Sequence, residues 1–101
     1  MKIYISGKIT GDPNYRQKFR AAQMAILATG NDALNPAEGN EGLSNAEAMR
    51  RAINMLFDAD AVVMLPGWQQ SHGAIIEHEL ARYLGKRVER MDLARAEEVR
   101  A

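Results

Sequence analysis

Two short runs of apolar residues stand out in a chain whose other apolar positions are spaced apart. The first is Lys2 to Ser6 ("KIYIS"), β-branched and aromatic, which predicts a buried strand ending in a glycine loop. The second is Ala61 to Leu65 ("AVVML"), whose continuous apolar character is typical of a strand buried on both faces of a parallel sheet. Shorter strands are predicted at Ala33-Leu34 and around Arg87 to Glu89.

Apolar residues at helical spacing separate these strands. Asp12 followed by Pro13 predicts an N-cap and a first helical residue, and Gly30 predicts the stop of that helix. Ser44 with Glu47 has capping-box spacing and predicts the start of a second helix. The apolar positions are Tyr15, Phe19, Ala22 and Ile26 in the first helix and Met49, Ile53 and Leu56 in the second.

A third predicted helix, within Gln69 to Val88 ("QQSHGAIIEHELARYLGKRV"), carries a carboxylate on its apolar side. At about 100° of rotation per residue, Glu77 falls inside an apolar arc. That arc is made by Ile76, Leu80, Ala81 and Leu84. An ionised carboxylate is costly there unless it is hydrogen-bonded or faces a wet cleft.

The alternation of strands and helices predicts the fold class. It indicates a three-layer α/β/α sandwich with a small parallel sheet, Rossmann-like or flavodoxin-like. With 101 residues the chain is long enough for one domain and too short for two, so we expect a single domain over residues 1–101. We expect residues 91–101 to be a C-terminal helical tail, with a charged helix from Leu93 to Val99. Ile75 falls outside the apolar arc with nothing to cover it, which predicts a homo-oligomer.

Charge balance, cysteine content and the length of the apolar runs exclude several classes of binding partner. Thirteen basic and thirteen acidic residues balance, so the chain lacks the positive charge that drives binding to a nucleic acid polymer. The absence of cysteine excludes disulfides, thiolate metal sites and cysteine nucleophiles. The longest apolar run, Ala61 to Pro66, is far shorter than the roughly twenty residues of a membrane span, and the N-terminus has no signal-peptide pattern. We expect a cytoplasmic protein that binds neither a membrane nor a nucleic acid.

Two loops are placed for ligand binding, because ligands of open α/β sheets bind beyond the carboxyl ends of the strands. One loop, Gly7 to Asp12, follows the first strand and offers the charge of Lys8 and the hydroxyl of Thr10. The other follows the "AVVML" strand and leads into the third helix. We expect the two loops to form the walls of one cleft.

The second loop ends at a helix N-terminus. Ser71 is a natural N-cap, and the free N–H groups after it, with Gly73 lacking a side chain, form a site for a phosphate or a hydroxyl. Trp68 either packs within the loop or stacks on a base. Glu77 is expected about one turn further into the helix, near the floor of the cleft.

The remaining motifs are weak. "GKITGD" has neither the spacing of GxGxxG nor that of the Walker loop, so it does not indicate a dinucleotide cofactor or a P-loop. His72 and His78 have neither cysteine partners nor HExxH spacing, so we expect no metal and no cofactor. The glycine loop also fits a purely structural turn, and Glu77 also fits a carboxylate paired with a neighbouring backbone group or arginine.

Three segments together resemble the nucleoside 2-deoxyribosyltransferase superfamily: "YISGKITG", "DADAVVMLPGW" and "SHGAIIEHELARYLGK". Within it, the chain resembles a small phage-associated branch of unassigned function with the pattern "LPGW..S.GA..E...A..LG". The resemblance covers roughly residues 1 to 90. Its most specific part is the spacing from Ser71 through Gly73 and Glu77 to Ala81 and Gly85.

The resemblance implies roles for five of the predicted site residues. Glu77 is implied to be a nucleophile that attacks the anomeric carbon of a 2'-deoxyribose and forms a covalent ester, the double displacement of retaining glycosidases. Tyr4 is implied to lie beside this nucleophile and position it. Gly7, Lys8 and Thr10 are implied to surround the sugar or its 5' end.

Two positions bear on the reaction. In this resemblance, the transferases commonly have Asp at the position of Ser71, whereas the 2'-deoxynucleoside 5'-monophosphate N-glycosidases have Ser. A hydroxyl at a helix N-terminus can donate to a phosphate, and a carboxylate there would repel it. Ala52 departs from the superfamily, which usually carries there an Asp that assists at the leaving base. Loss of a general acid typically costs about 10²–10⁴ in rate, and Asp58 or Asp60 is a possible substitute.

Three hypotheses remain open at this point. The first is an N-glycosidase acting on a 2'-deoxynucleoside 5'-monophosphate. The second is a non-catalytic nucleotide-binding module, and the third is a nucleoside deoxyribosyltransferase. All three imply a small nucleotide or nucleoside as ligand. The superfamily is usually dimeric or larger, which agrees with the predicted homo-oligomer.

Overall fold

The structure is a computed structural model that describes residues 1–92. The helix predicted from Leu93 to Val99, and with it most of the predicted C-terminal tail, lies outside the described residues. In chain order the elements are β1 (Lys2–Ser6), α1 (Tyr15–Ala28), β2 (Asp32–Leu34), α2 (Asn45–Asp58), β3 (Ala61–Met64), a 3₁₀ turn (Trp68–Gln70), α3 (His72–Tyr83) and β4 (Arg87–Arg90). No helix in residues 1–92 has the length and apolar character needed to cross a bilayer.

The four strands form one parallel sheet in the order β2-β1-β3-β4. β1 and β3 lie at its centre, and Ser6 pairs with Met64 where the two strands end. All of β3 and all of β1 after Lys2 are buried. Their continuous apolar runs therefore correspond to strands covered on both faces, as the sequence predicts.

Side chains of the central strands alternate between two apolar layers. Ile3 and Ile5 pack with Phe19 and Ile26 of α1 on one face of the sheet. Tyr4 packs on the other face in a cluster drawn from α2, β3 and α3. The other buried members of this cluster are Ala52, Leu56, Ala59, Val62, Met64, Ala74 and Ala81. The sheet is thus covered by α1 on one side and by α2 and α3 on the other, which confirms the predicted three-layer α/β/α sandwich.

Two of the predicted helix starts are confirmed by side-chain caps. Ser44 Oγ accepts a hydrogen bond from Glu47 N at 3.1 Å at the start of α2. Ser71 Oγ accepts one from Ala74 N at 3.2 Å at the start of α3. Each cap satisfies an N–H group that the first helical turn leaves unpaired.

The predicted start of α1, with Asp12 as N-cap and Pro13 as first residue, is wrong. Asn14 precedes the helix without a side-chain cap, and the helix begins at Tyr15. Asp12 Oδ1 accepts a hydrogen bond from Asn14 N at 2.9 Å, and Asp12 Oδ2 pairs with Lys18 Nζ at 2.7 Å. Because these groups occupy both oxygens, the Asp12 carboxylate closes a turn before the helix instead of capping it.

The buried face of α3 is narrower than the predicted apolar arc and is rotated from it. Its buried side chains are Ala74, Glu77 and Ala81. Ile76 is 53% exposed and Leu84 is 38% exposed, so the prediction that they belong to the buried arc is wrong. Two alanines allow the helix to approach the sheet closely, and the larger apolar side chains then lie on its flank.

Candidate active site

Strand β1 and helix α3 bring a carboxylate and two hydroxyl groups together at the carboxyl end of the sheet. Ser6 Oγ donates a hydrogen bond to Glu77 Oε1 at 2.6 Å. Ser6 and Tyr4 are fully buried, and Glu77 is 7% exposed. Residues two apart on a strand point to the same face, so Tyr4 and Ser6 both meet the face of α3 that carries Glu77. The inward carboxylate is therefore hydrogen-bonded, and it lies at the end of the sheet where open α/β folds bind ligands.

The Tyr4 hydroxyl is enclosed beside the same carboxylate. It has no hydrogen-bond partner among residues 1–92. It nevertheless interacts electrostatically with the Glu77 carboxylate. Burial raises the pKa of Tyr4 well above its usual range, the Glu77 charge raises it further, and the Arg51 charge opposes them. The phenol is therefore neutral and keeps a proton that it can donate.

Two opposing effects set the ionisation of Glu77. Burial raises the pKa of its carboxyl, because a charge is poorly solvated in the interior. The hydroxyl groups of Ser6 and Tyr4 oppose this shift by stabilising the carboxylate. The net direction is upward. Carboxyl groups with such shifts are common among groups that take part in chemistry, although buried structural networks also produce them.

A close contact with the end of β3 fixes the loop after β1. A Cβ atom on Gly7 would lie 3.0 Å from Leu65 Cβ, so a side chain at position 7 would push against the buried strand end. Lys8 is half-buried and Thr10 is exposed. The Lys8 stem folds over Gly11, with Lys8 Cε 3.7 Å from the place that a Gly11 Cβ would occupy. Gly7 therefore shapes the loop, while Lys8 and Thr10 have access to solvent.

The N-terminus of α3 packs closely against α2. A Cβ atom on Gly73 would lie 3.4 Å from Met49 Cε. The first turn of α3 holds no acidic residue, so no side chain of that turn neutralises the positive end of the helix dipole. Ser71 uses an oxygen lone pair to cap the helix, and its own proton remains free to donate. This end of the helix therefore suits an anion.

Trp68 lies on the other flank of α3. Its ring stacks on His78, with centroids 4.3 Å apart and an interplanar angle of 21°. The pair forms one wall of a cleft of about 460 Å³ between α3 and β4, which Arg82 and Arg90 also line. Glu77 is not part of this lining. The structure therefore brings Tyr4 and Glu77 together but places Trp68 in the cleft between α3 and β4. The His78 imidazole covers one face of the Trp68 ring.

The side chains that bear on metal binding are histidines and carboxylates. In the part of the chain from residue 1 to 92, no three His, Asp or Glu side chains converge so that they could hold a metal ion. His72 is exposed. His78 Nδ1 lies 3.6 Å from Glu79 Oε1, and its ring packs on Trp68.

The family described as "Domain of unknown function (DUF4406)" matches residues 1–90. The chain belongs to this family. Its fold is similar to that of a 2-deoxyribosyltransferase from the psychrotolerant bacterium Bacillus psychrosaccharolyticus, with a TM-score of 0.68 and 16% identity over 89% of this chain and 71% of that one. This likeness confirms the predicted nucleoside 2-deoxyribosyltransferase-like fold. No curated protein matches the chain.

Ser6 is the site residue of this DUF4406 domain that sequence reasoning missed. The strand pattern contains the signal, because Tyr4 and Ser6 are two residues apart and a carboxylate that faces one also faces the other. Ser6 ends the apolar run, where a small polar residue is equally typical of the start of a loop. Only the packing of α3 on β1 distinguishes the two interpretations.

Position 52 of this DUF4406 domain lies in apolar packing. Ala52 of α2 is 6% exposed and belongs to the same buried cluster as Tyr4. Asp60 Oδ2 accepts a hydrogen bond from Lys2 N at 2.8 Å, at the amino end of the sheet. Asp58 is exposed at the end of α2. Both candidate substitutes therefore lie at the opposite end of the sheet from Glu77.

Proposed function

We propose that this domain is an N-glycosidase that hydrolyses the base–sugar bond of a 2'-deoxynucleoside 5'-monophosphate, with Glu77 as nucleophile. The observation that carries the proposal is the buried Glu77 carboxylate at the carboxyl end of the sheet, held by Ser6 at 2.6 Å. An oriented carboxylate is the group that a double-displacement glycosidase needs. The fold likeness to a protein named as a 2-deoxyribosyltransferase supports a deoxyribosyl substrate.

The proposed reaction consists of two displacements at the anomeric carbon. In the first, a Glu77 oxygen bonds to this carbon, the bond to the base nitrogen breaks, and the base leaves with the electron pair and takes a proton from solvent. In the second, water bonds to the same carbon, the ester bond to Glu77 breaks, and the proton of the water passes to solvent. Tyr4, neutral and enclosed beside Glu77, keeps the carboxylate oriented through both steps.

The 5'-phosphate is assigned to the N-terminus of α3. The Ser71 hydroxyl and the N–H groups of the first turn can donate to phosphate oxygens, and the helix dipole favours the negative charge. The absence of an acidic residue in this turn supports the assignment. Lys8 and Thr10, in the loop after β1, are assigned to the sugar or its 5' end.

The proposal is tested by chromatography of free base after incubation with each common deoxynucleoside monophosphate. We expect base from the wild type and none from Glu77→Gln, which keeps the shape of the side chain but removes the nucleophilic charge. Glu79→Gln is the matched control, because its carboxylate lies on the same helix and its side chain is 72% exposed. Equal release of free base by Glu77→Gln and the wild type would refute the proposal.

The apolar surroundings of Ala52 favour a second candidate function, a nucleotide-binding module without turnover. With no acid at this position, the departing base receives no proton from residue 52. Nucleotide-dependent thermal stabilisation without any free base after long incubation identifies this function. Transfer to a second base, the third hypothesis, is disfavoured by Ser71, and exchange of a labelled base between two nucleosides tests it directly.

A further inference from the structure

Ser6 is held on a rigid part of the molecule. It is the last residue of the central strand β1, where it pairs in register with Met64, and its carbonyl accepts a hydrogen bond from Leu65 N at 2.8 Å. Its side chain is fully buried, and Oγ lies 2.6 Å from Glu77 Oε1. Because the strand backbone is fixed on both sides, Ser6 determines where this carboxylate oxygen lies.

The contact makes the two oxygens of Glu77 unequal. A serine hydroxyl has a single proton, and that of Ser6 is directed at Oε1. The donor draws electron density from Oε1, and Ser6 donates nothing to Oε2. We propose that Ser6 is a positioning residue that holds Oε1, so that Oε2 attacks the anomeric carbon. This inference rests on the proposed function, because it assigns the attacking atom of that reaction.

The same contact is kept through both displacements and assists the second. When Oε2 bonds to the anomeric carbon and the bond to the base nitrogen breaks, Oε1 becomes the carbonyl oxygen of the ester and still accepts from Ser6. When water then bonds to that carbon, the bond from carbon to Oε2 breaks and its electron pair returns to the carboxylate. The proton of the water passes to solvent. A donor already aimed at the carboxylate stabilises the charge that returns to it.

The titratable and charged groups near the carboxylate come from two other elements. Tyr4 of β1 faces Glu77 alongside Ser6. Arg51 of α2 acts on Tyr4, and its guanidinium is held by two backbone carbonyls of the loop before α2. Among residues 1–92, Ser6 is therefore the side chain that donates to Glu77 with hydrogen-bond geometry.

The first test compares Ser6→Ala with Ser6→Thr. Alanine removes the donor with little change in shape, whereas threonine restores a hydroxyl. We expect Ser6→Ala to lower kcat for base release by about 10- to 100-fold with little change in KM, since a hydrogen bond to a charged group is lost. We expect the acid limb of its pH–rate profile to move to higher pH, because the carboxylate has lost a stabilising donor. Ser6→Thr restores part of kcat.

The matched control is Ser44→Ala, which removes a serine hydroxyl at the N-cap of α2. It lowers the melting temperature but leaves kcat and the acid limb unchanged. Melting curves of Ser6→Ala establish that the variant is folded. A folded Ser6→Ala with wild-type kcat and pH profile overturns the proposal.

A second measurement does not depend on turnover. The ¹³C resonance of the Glu77 side-chain carboxyl, assigned with Glu77→Gln, is titrated in the wild type and in Ser6→Ala. A higher pKa in Ser6→Ala supports the contact by which Ser6 holds Oε1, even if the wild type releases no base. In that case the glycosidase proposal and the assignment of Oε2 as attacking atom fail, and the positioning contact stands. An unchanged pKa overturns the role of Ser6 whatever the outcome for turnover.

Discussion

Tyr4 lies enclosed beside Glu77, yet its hydroxyl forms no hydrogen bond with any residue from 1 to 92. A buried polar group without a partner costs about 1–3 kcal/mol. Such groups call for an explanation, and a catalytic role is one of them. Because Ser6 already donates to one oxygen of the carboxylate, the Tyr4 proton is available to the other oxygen or to a bound substrate.

Removal of this hydroxyl should separate stability from activity. Tyr4→Phe keeps the buried ring. It removes a buried hydroxyl that lacks a hydrogen-bond partner, and with it some stabilisation of the Glu77 charge, so we expect a melting temperature close to that of the wild type. We expect base release to fall by at least about tenfold, because the nucleophile loses an orienting group. Melting curves and initial rates on the same preparations check both. Tyr83→Phe, at a position 87% exposed, is the control, and a destabilised Tyr4→Phe with full activity would contradict the assignment.

The raised pKa of Glu77 predicts a pH-dependent effect on stability. The folded state binds the carboxyl proton more tightly than the unfolded state. The contribution of Glu77 to stability is therefore complete below the usual carboxyl pKa of about 4.5 and is lost as pH rises through the higher folded pKa. We expect Glu77→Gln, which has no charge, to melt a few degrees above the wild type near pH 7, with a difference that disappears near pH 4.

The control for this effect is Glu79→Gln, which changes an exposed carboxylate on the same helix. Its melting temperature should equal that of the wild type across the whole pH range. If Glu77→Gln is less stable than the wild type at neutral pH, the carboxylate is a net stabilising ion and burial is not the dominant effect on its pKa.

The two glycines near the site should respond differently to an added methyl group. In Gly7→Ala the new Cβ lies 3.0 Å from Leu65 Cβ, on a buried side chain next to a central strand. We expect a loss of about 1–3 kcal/mol, the usual cost of overpacking. In Gly73→Ala the nearest atom is Met49 Cε at 3.4 Å, the end of a flexible side chain. We expect a change of less than about 1 kcal/mol, since a helical glycine gains from replacement by alanine.

Urea denaturation of the two variants measures this difference. Equal losses of unfolding free energy would show that the contact of Gly7 with Leu65 is not special. A larger loss in Gly73→Ala would contradict the packing described for α2 and α3.

Much of this fold is encoded in local pattern. The "AVVML" run marks a strand buried on both faces, and Ser44 and Ser71 mark two helix starts, because a buried parallel strand and an N-cap each require particular residue types at fixed positions. Asp12 has the same capping chemistry as these serines. It forms an ion pair with Lys18 and closes a turn instead, and the competition between a cap and a turn is decided by the fold around it.

The candidate site was only partly predictable for the same reason. A single charge that interrupts an apolar arc predicts Glu77 on the buried side of its helix. The orientation of α3 about its own axis follows from the close approach of Ala74 and Ala81 to the sheet. A hydrophobicity pattern does not predict that approach. Ser6 becomes a site residue only through this approach, since it lies 71 positions away from Glu77 in the sequence.

The outer face of α3 predicts self-association. Ile75, Ile76 and Tyr83 are 39%, 53% and 87% exposed, and apolar side chains grouped on one helix face mark an interaction surface. We expect the wild type to be a dimer or larger by light scattering after size exclusion, and Ile76→Glu to be monomeric. Met24→Glu, on the 44% exposed position of α1, should keep the wild-type state. A wild type that is monomeric at every concentration would refute this surface.

The most direct test of the central claim is capture of the covalent ester on Glu77. The protein is mixed with a deoxynucleoside monophosphate, quenched in acid within the first turnover, digested with trypsin and analysed by mass spectrometry. We predict a deoxyribosyl phosphate adduct on the peptide of residues 52–82, with fragmentation placing it on Glu77 and not on Glu79. The adduct should be absent from Glu77→Gln. Release of base without an adduct at Glu77, or no base and no adduct in the wild type, would contradict the proposed reaction.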